Sequence, residues 1–186
     1  MAYTLERAIF IKVGWMNYYG FLSEDGGPAG GGEANAADVA EGANFKEIKG
    51  RAYGLVNVTL THIGRLGAAP GSSTQNGVLV VSVASRPDGT GQVVVGWQGR
   101  AMLRQRRKEL GDADRLYNYE AKIENSVLLP EDARTWKIPS EGMGTAKLAY
   151  GCTESGRPLK WAADLLQEIE KYEEDGGENL LSAAGD

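Results

Sequence analysis

The sequence predicts a single α+β domain, built as a compact, twisted, barrel-like β-sheet with flanking helices, one of them near the C-terminus. Three observations lead to this. Apolar, β-branched runs recur at AIFIKV, NGVLVVSVAS and GQVVVGW, the composition expected of strands. The last two are joined by Arg86-Pro-Asp-Gly-Thr-Gly, whose Pro, Asp and Gly favour a hairpin connection. From Pro158 the pattern changes to LKWAADLLQEIEKYEE, where Leu159, Ala162, Leu166, Ile169 and Tyr172 recur at helical spacing.

Taken in chain order, residues 8–14 read as the first strand, with Ile9, Ile11 and Val13 β-branched. Residues 23–43 hold GGPAGGG among Asn, Ala and acidic residues, too glycine-rich to order cheaply, and predict a long mobile loop, either a plain insertion or a lid over nearby aromatics. RAYGLVNVTL predicts a strand, IGRLGAAPGSSTQNG a loop, and the 76–97 pair the centre of the sheet. Weaker strand signals follow at AMLRQ, RLYNYEAKI and ARTWKI, before a helix with Pro158 at its first turn and Gly176-Gly177 at its stop.

At 186 residues, 42% hydrophobic and 24% charged, the chain is long enough for one well-packed domain, expected over residues 1–175, with 176–186 as a flexible tail or linker. A net charge of −5 argues against a generally basic, histone-like binder, although a local positive face is compatible with it. One cysteine, Cys152, excludes an internal disulfide and a cysteine-based zinc site, and one histidine, His62, leaves little for a His-ligated metal, so no metal or cofactor is expected. Glu6, Arg7 and Lys12 interrupt the N-terminal apolar run, and no apolar run approaches the ~20 residues of a membrane span. A cytoplasmic protein without a membrane partner is the expectation.

Trp and Tyr together outnumber Phe by twelve to three, and residues with a polar tip favour interfaces and pockets as well as cores. FIKVGWMNYYGF and QVVVGWQGR each run from apolar residues into Gly-Trp, and glycine lets a backbone bend or approach a ligand closely. That places Trp15 and Trp97, with Tyr18, Tyr19 and Tyr53, as candidates for one aromatic pocket, against the alternative of core packing. Arg100-Ala-Met-Leu-Arg-Gln-Arg-Arg-Lys carries five basic residues in nine, so Arg100, Arg104, Arg106 and Arg107 are candidate phosphate ligands, or simply a solvated segment. A basic track beside stacking aromatics suits an unstacked or flipped base. Enzymatic signals are poorer: Glu24/Asp25, Asp112/Asp114 and Glu131/Asp132 sit in turn-like sequence, Gly64-Arg-Leu-Gly67 is a common spacing, and His62 lacks a recognisable partner. No catalytic residue is assigned.

At FIKVGWMNYYG, NGVLVVSVASRPDGTGQVVVGW and LLPEDARTWKIP the chain resembles the N-terminal modules of modification-dependent HNH restriction endonucleases, over most of residues 8–150. These are similar in plan to the PUA-like superfamily of EVE, YTH and SRA domains. The resemblance implies a PUA-like β-barrel that lodges a modified, flipped base in an aromatic pocket. It implies the reader half of a restriction or defence system, since the chain carries no HNH signature, with fusion to or association with a nuclease domain. The EVE opening motif is absent from this sequence. The expected function is therefore a non-enzymatic module that binds nucleic acid, DNA with a modified base in particular. Two other readings stay open: an enzyme acting on a nucleotide-like planar substrate, and a protein-interaction domain of a defence or phage system.

Overall fold

A computed structural model describes residues 3–17, 19, 44–56, 62–111 and 116–182. Over these residues the strands are β1 (Ala8–Val13), β2 (Glu47–Ile48), β3 (Arg51–Gly54), β4 (Thr74–Ser85), β5 (Gln92–Glu109), β6 (Leu116–Lys122), β7 (Ser126–Leu128), β8 (Lys137–Ile138) and β9 (Leu148–Tyr150). The helix α1 (Lys160–Glu174) follows. The strands form one mixed sheet in the order β2-β3-β6-β5-β4-β1-β9, so the molecule is a sheet-dominated α+β fold with a C-terminal helix.

β5 is the spine of this sheet. Its 18 residues pair with β4 along one edge, while β8, β7 and β6 take the other edge in succession. β1 runs parallel to β4, with Ala8 beside Leu79 and Val13 beside Ala84, and the remaining pairings are antiparallel. The expected barrel does not form: among the described residues β2 and β9 end the path unjoined, so the sheet stays open. Those end strands are two and three residues long, too short for a closing ladder.

The central strands are apolar over 8–11, 78–81 and 93–95 because both of their faces are covered there. Ile9, Ile11, Val13, Val80 and Val95 point into a core shared with Phe45, Val56 and Leu66. Ala8, Phe10, Leu79, Val81 and Val83 point the other way, beneath Ala162, Leu165, Leu166 and Ile169 of α1. The helix begins at Lys160 with Leu159 as its N-cap, so Pro158 lies just outside the first turn instead of in it. Its end is a Schellman motif: the Gly177 N–H donates to the Tyr172 carbonyl at 2.9 Å, the Gly176 N–H to that of Glu173 at 3.2 Å, and Gly176 takes the left-handed φ of 67°.

Several segments differ from the sequence expectation. AMLRQ is no separate strand but the continuation of β5 beyond Trp97. ARTWKI contributes only β8, and RAYGLVNVTL only β3, with 57–61 outside the described residues. The glycine-rich segment 23–43 also lies outside them. Residues 176–182, expected as a flexible tail, instead dock: Asn179 Oδ1 accepts from the Leu128 and Leu181 N–H groups, its Nδ2 donates to the Ser126 carbonyl, and Leu181 is buried. An amide that can both accept and donate lets this turn replace a strand partner for β7.

Candidate functional site

Trp15 and Trp97 do not share a concavity. Both are buried, Trp15 in the core with Ile9, Ile11 and Val13, and Trp97 in the core beneath α1, on the opposite face of the sheet. The cause is a bulge: Ser82 pairs with Gly96 but Val83 with Val94, leaving Val95 as the extra residue. Period-2 alternation would put Trp97 on the face of Val93 and Val95, and one inserted residue turns it to the other.

Of the remaining aromatic candidates, Tyr19 shares the core of Trp15 and Tyr53 lies apart. Tyr19 is fully buried, its hydroxyl donating to the Gly14 carbonyl at 2.7 Å and its ring edge-on to Phe45. Tyr53 is half-buried against Tyr117 near the sheet edge, and Tyr18 lies outside the described residues. Trp15 and Tyr19 are brought together by a residue the sequence did not single out. Arg134 is completely buried, its guanidinium carbon 5.0 Å from the centre of the Trp15 ring and 5.7 Å from that of Tyr19. It donates to the carbonyls of Met16, Asn17 and Leu129 at 2.6, 2.6 and 3.0 Å. All three side chains are buried together.

The basic candidates divide as well. Arg104 pairs with Glu120 at 2.7 Å, whereas Arg106 and Arg107 lie exposed on the outer part of β5. Arg100 is different. Val78 pairs with Ala101 and Val80 with Gln98, so β5 carries a second bulge at Gly99-Arg100. Arg100 adopts φ 52°, a left-handed conformation rare for a residue with a Cβ. Its side chain is exposed and lines a cleft of about 560 Å³.

That cleft lies between the β4–β5 bulge, the turn before β1 and the end of α1. Its charged lining comprises Arg7, Arg100, Glu124 and Glu173, and Tyr3 and Tyr172 supply rings. Among the described residues neither Arg7 nor Arg100 makes an ion pair or a side-chain hydrogen bond. Glycine makes room for this lining: a Cβ on Gly99 would collide with the Tyr3 ring, and one on Gly77 would crowd Arg7 Nη1 at 3.3 Å. Glu173 Oε1 accepts from both the Tyr3 hydroxyl and the Trp97 indole N–H, each at 2.8 Å. Burial, reinforced by the neighbouring Glu173 carboxylate, pushes the Tyr3 phenol well above its ordinary range, so it stays a neutral donor. Burial raises Tyr172 too, and its hydroxyl donates to the Glu178 carbonyl at 2.7 Å.

Of the sequence candidates, then, the cleft contains Arg100 itself and has Trp97 behind its wall. Tyr3 and Arg7 carried no sequence signal, and Tyr172 was visible only as a face of the helix. Gly176-Gly177 was the one cue, since it marks where the helix end must turn.

Fold and site together define an open mixed sheet, helix-covered on one face, with an arginine-bearing cleft at the end of that helix. No protein-family model, curated protein or solved structure matches the chain. Among the described residues no helix is long and apolar enough to cross a membrane, and no cluster of His, Cys, Asp and Glu is placed to hold a metal ion.

Proposed function

We propose that the chain is a nucleic-acid-binding module, a reader and not a cutter, whose ligand enters the cleft between Arg7 and Arg100. The observation that carries this reading is the pair of arginines without carboxylate partners among the described residues, one of them on a strained bulge, lining a cleft with two phenol rings. Strained backbone persists where surrounding structure enforces it, and such positions cluster at binding sites. Arginine is suited to phosphate because its fork offers parallel donors. A volume of about 560 Å³ lies within the range of ligand pockets and matches a nucleotide better than a duplex. The exposed Arg106, Arg107 and Lys108 extend the basic character along β5, giving a backbone a second place to lie. The likeness of FIKVGWMNYYG and LLPEDARTWKIP to PUA-like base readers of restriction systems supports the same class, with the seat of recognition moved from a Trp15–Trp97 pocket to the cleft. Glu173 is oriented by Tyr3 and Trp97, and Glu124 pairs with Lys122 at 3.0 Å, so both carboxylates sit at fixed places in the lining.

The test is binding of matched single- and double-stranded oligonucleotides, unmodified, methylated and hydroxymethylated, across a salt series. Arg7→Ala and Arg100→Ala should each weaken binding to every oligonucleotide and lower the slope of log affinity against log salt by about 0.7–0.9. Any preference for a modified base should survive both changes, because phosphate contacts position a strand while other groups choose the base. An unchanged slope in both variants would remove the cleft from the interface.

A further inference from the structure

We infer that the cleft is a seat for a single phosphorylated nucleoside whose base carries an exocyclic amino group, with the phosphate on Arg7 and Arg100 and the amino group on Glu173. This deepens the binding reading above and rests on it for the identity of the cleft.

The lining divides its charge by element. The two arginines come from the turn before β1 and from the β5 bulge. The acceptors come from the turn before β7, with Glu124, and from the end of α1, with Glu173, where the C-terminal pole of the helix dipole adds partial negative charge. A wholly anionic ligand fits only the first side. A ligand with an anion at one end and N–H donors at the other fits both.

Glu173 supplies the acceptor in a defined orientation. Its Oε1 is taken by the Tyr3 hydroxyl and the Trp97 indole, which fix the carboxylate, and among the described residues its Oε2 accepts no hydrogen bond. A carboxylate accepting from the amino group of cytosine is a known mode of base-edge recognition. The rings of Tyr3 and Tyr172 lie in the same lining, and their hydroxyls are tied to Glu173 and to the Glu178 carbonyl, so both are oriented before a ligand arrives. Asn125, whose side chain makes no hydrogen bond among the described residues, adds an amide able to donate or accept at the rim.

The backbone of Arg100 gives an independent handle. Glycine adopts φ 52° without the Cβ penalty, so a protein selected for stability alone would carry glycine there. Tyr19 and Lys49 share this conformation, and what sets Arg100 apart is that its side chain lines the cleft.

The nucleotide has two sources, free in solution or at the phosphorylated end of a strand, and the experiment separates them. Calorimetric titrations would use CMP, UMP, cytidine and inorganic phosphate, alongside one oligonucleotide with and without its 5′-phosphate. CMP should bind at least about ten-fold more tightly than cytidine, the loss expected for a charged hydrogen-bonded contact. CMP should exceed UMP several-fold, and Glu173→Gln, which keeps an acceptor for Tyr3 and Trp97, should erase that difference. Arg100→Gly should lose CMP binding while raising Tm by about 2 °C. If only the 5′-phosphorylated oligonucleotide binds, with the same response to Arg100→Gly, the inference holds with the strand end as source. Equal binding of CMP and cytidine overturns it, as does an Arg100→Gly variant that binds normally. Oligonucleotide binding that ignores the terminal phosphate, without CMP binding, overturns it while leaving the broader nucleic-acid reading intact. Absence of all binding removes both.

Discussion

Arg134 is the residue that holds the chain at Met16 and Asn17. A buried guanidinium loses its hydration and must recover it in hydrogen bonds, which among the described residues include those to the carbonyls of Met16, Asn17 and Leu129. The same group lies against Trp15 and Tyr19, so one side chain ties these residues to the segment after β7. Arg134→Met keeps much of the volume but leaves those carbonyls without donors, and should cost about 3–5 kcal/mol in urea unfolding. Arg134→Lys should recover little, because one ammonium cannot span three carbonyls in a fixed plane. A loss under 1 kcal/mol in both would mean that solvent reaches the site. By sequence Arg134 is one of 20 Lys and Arg residues in a polar turn, and only tertiary packing distinguishes it from the others.

At the scale of elements, β5 shows which features of the fold were legible. VLVVSVA and QVVVG declare strands because both faces are buried, so every position can be apolar and the run is unmistakable. The helix was equally plain from its spacing. What a run of consecutive apolar residues lacks is alternation, and alternation is the only sequence signal that assigns a face. The bulge at Val95 therefore left no trace, and neither did the one at Gly99-Arg100, yet the first separates Trp97 from Trp15 and the second turns Arg100 into the cleft. Gly96, expected as a place where the backbone bends or approaches a ligand, is instead a point of close packing. A Cβ there would collide with the Val127 carbonyl and come within 2.8 Å of the Phe45 ring. Gly96→Ala should thus destabilise the protein by about 1–3 kcal/mol in chemical denaturation, through overpacking. An effect smaller than a few tenths would show that β7 can move away from β5 freely.

For the whole molecule, the consequence of a sheet covered on both faces is that its two cores share β1, β4 and β5 and should melt as one unit. The C-terminal segment strengthens that coupling. α1 covers one face, the Gly176-Gly177 turn reverses the chain, and Leu181 then joins the core on the opposite face while Asn179 and Leu180 hydrogen-bond β7. A flexible appendage would contribute nothing to Tm. A docked segment that removes Leu181 from water and satisfies β7 contributes burial of about 1.5–3 kcal/mol for the leucine, plus about 0.5–1.5 kcal/mol for each hydrogen bond retained. Ending the chain after Asp175 should therefore lower Tm by at least about 6 °C, taking 2–4 °C for each kcal/mol in a domain of this size. The fall should be the same whether followed by far-UV circular dichroism or by tryptophan fluorescence, because Trp15 and Trp97 report on opposite faces of one cooperative sheet. Asn179→Ala should reproduce part of the shift with the segment still present. Two separated transitions would mean that the cores unfold independently, and an unchanged Tm that residues 176–182 dock without contributing stability.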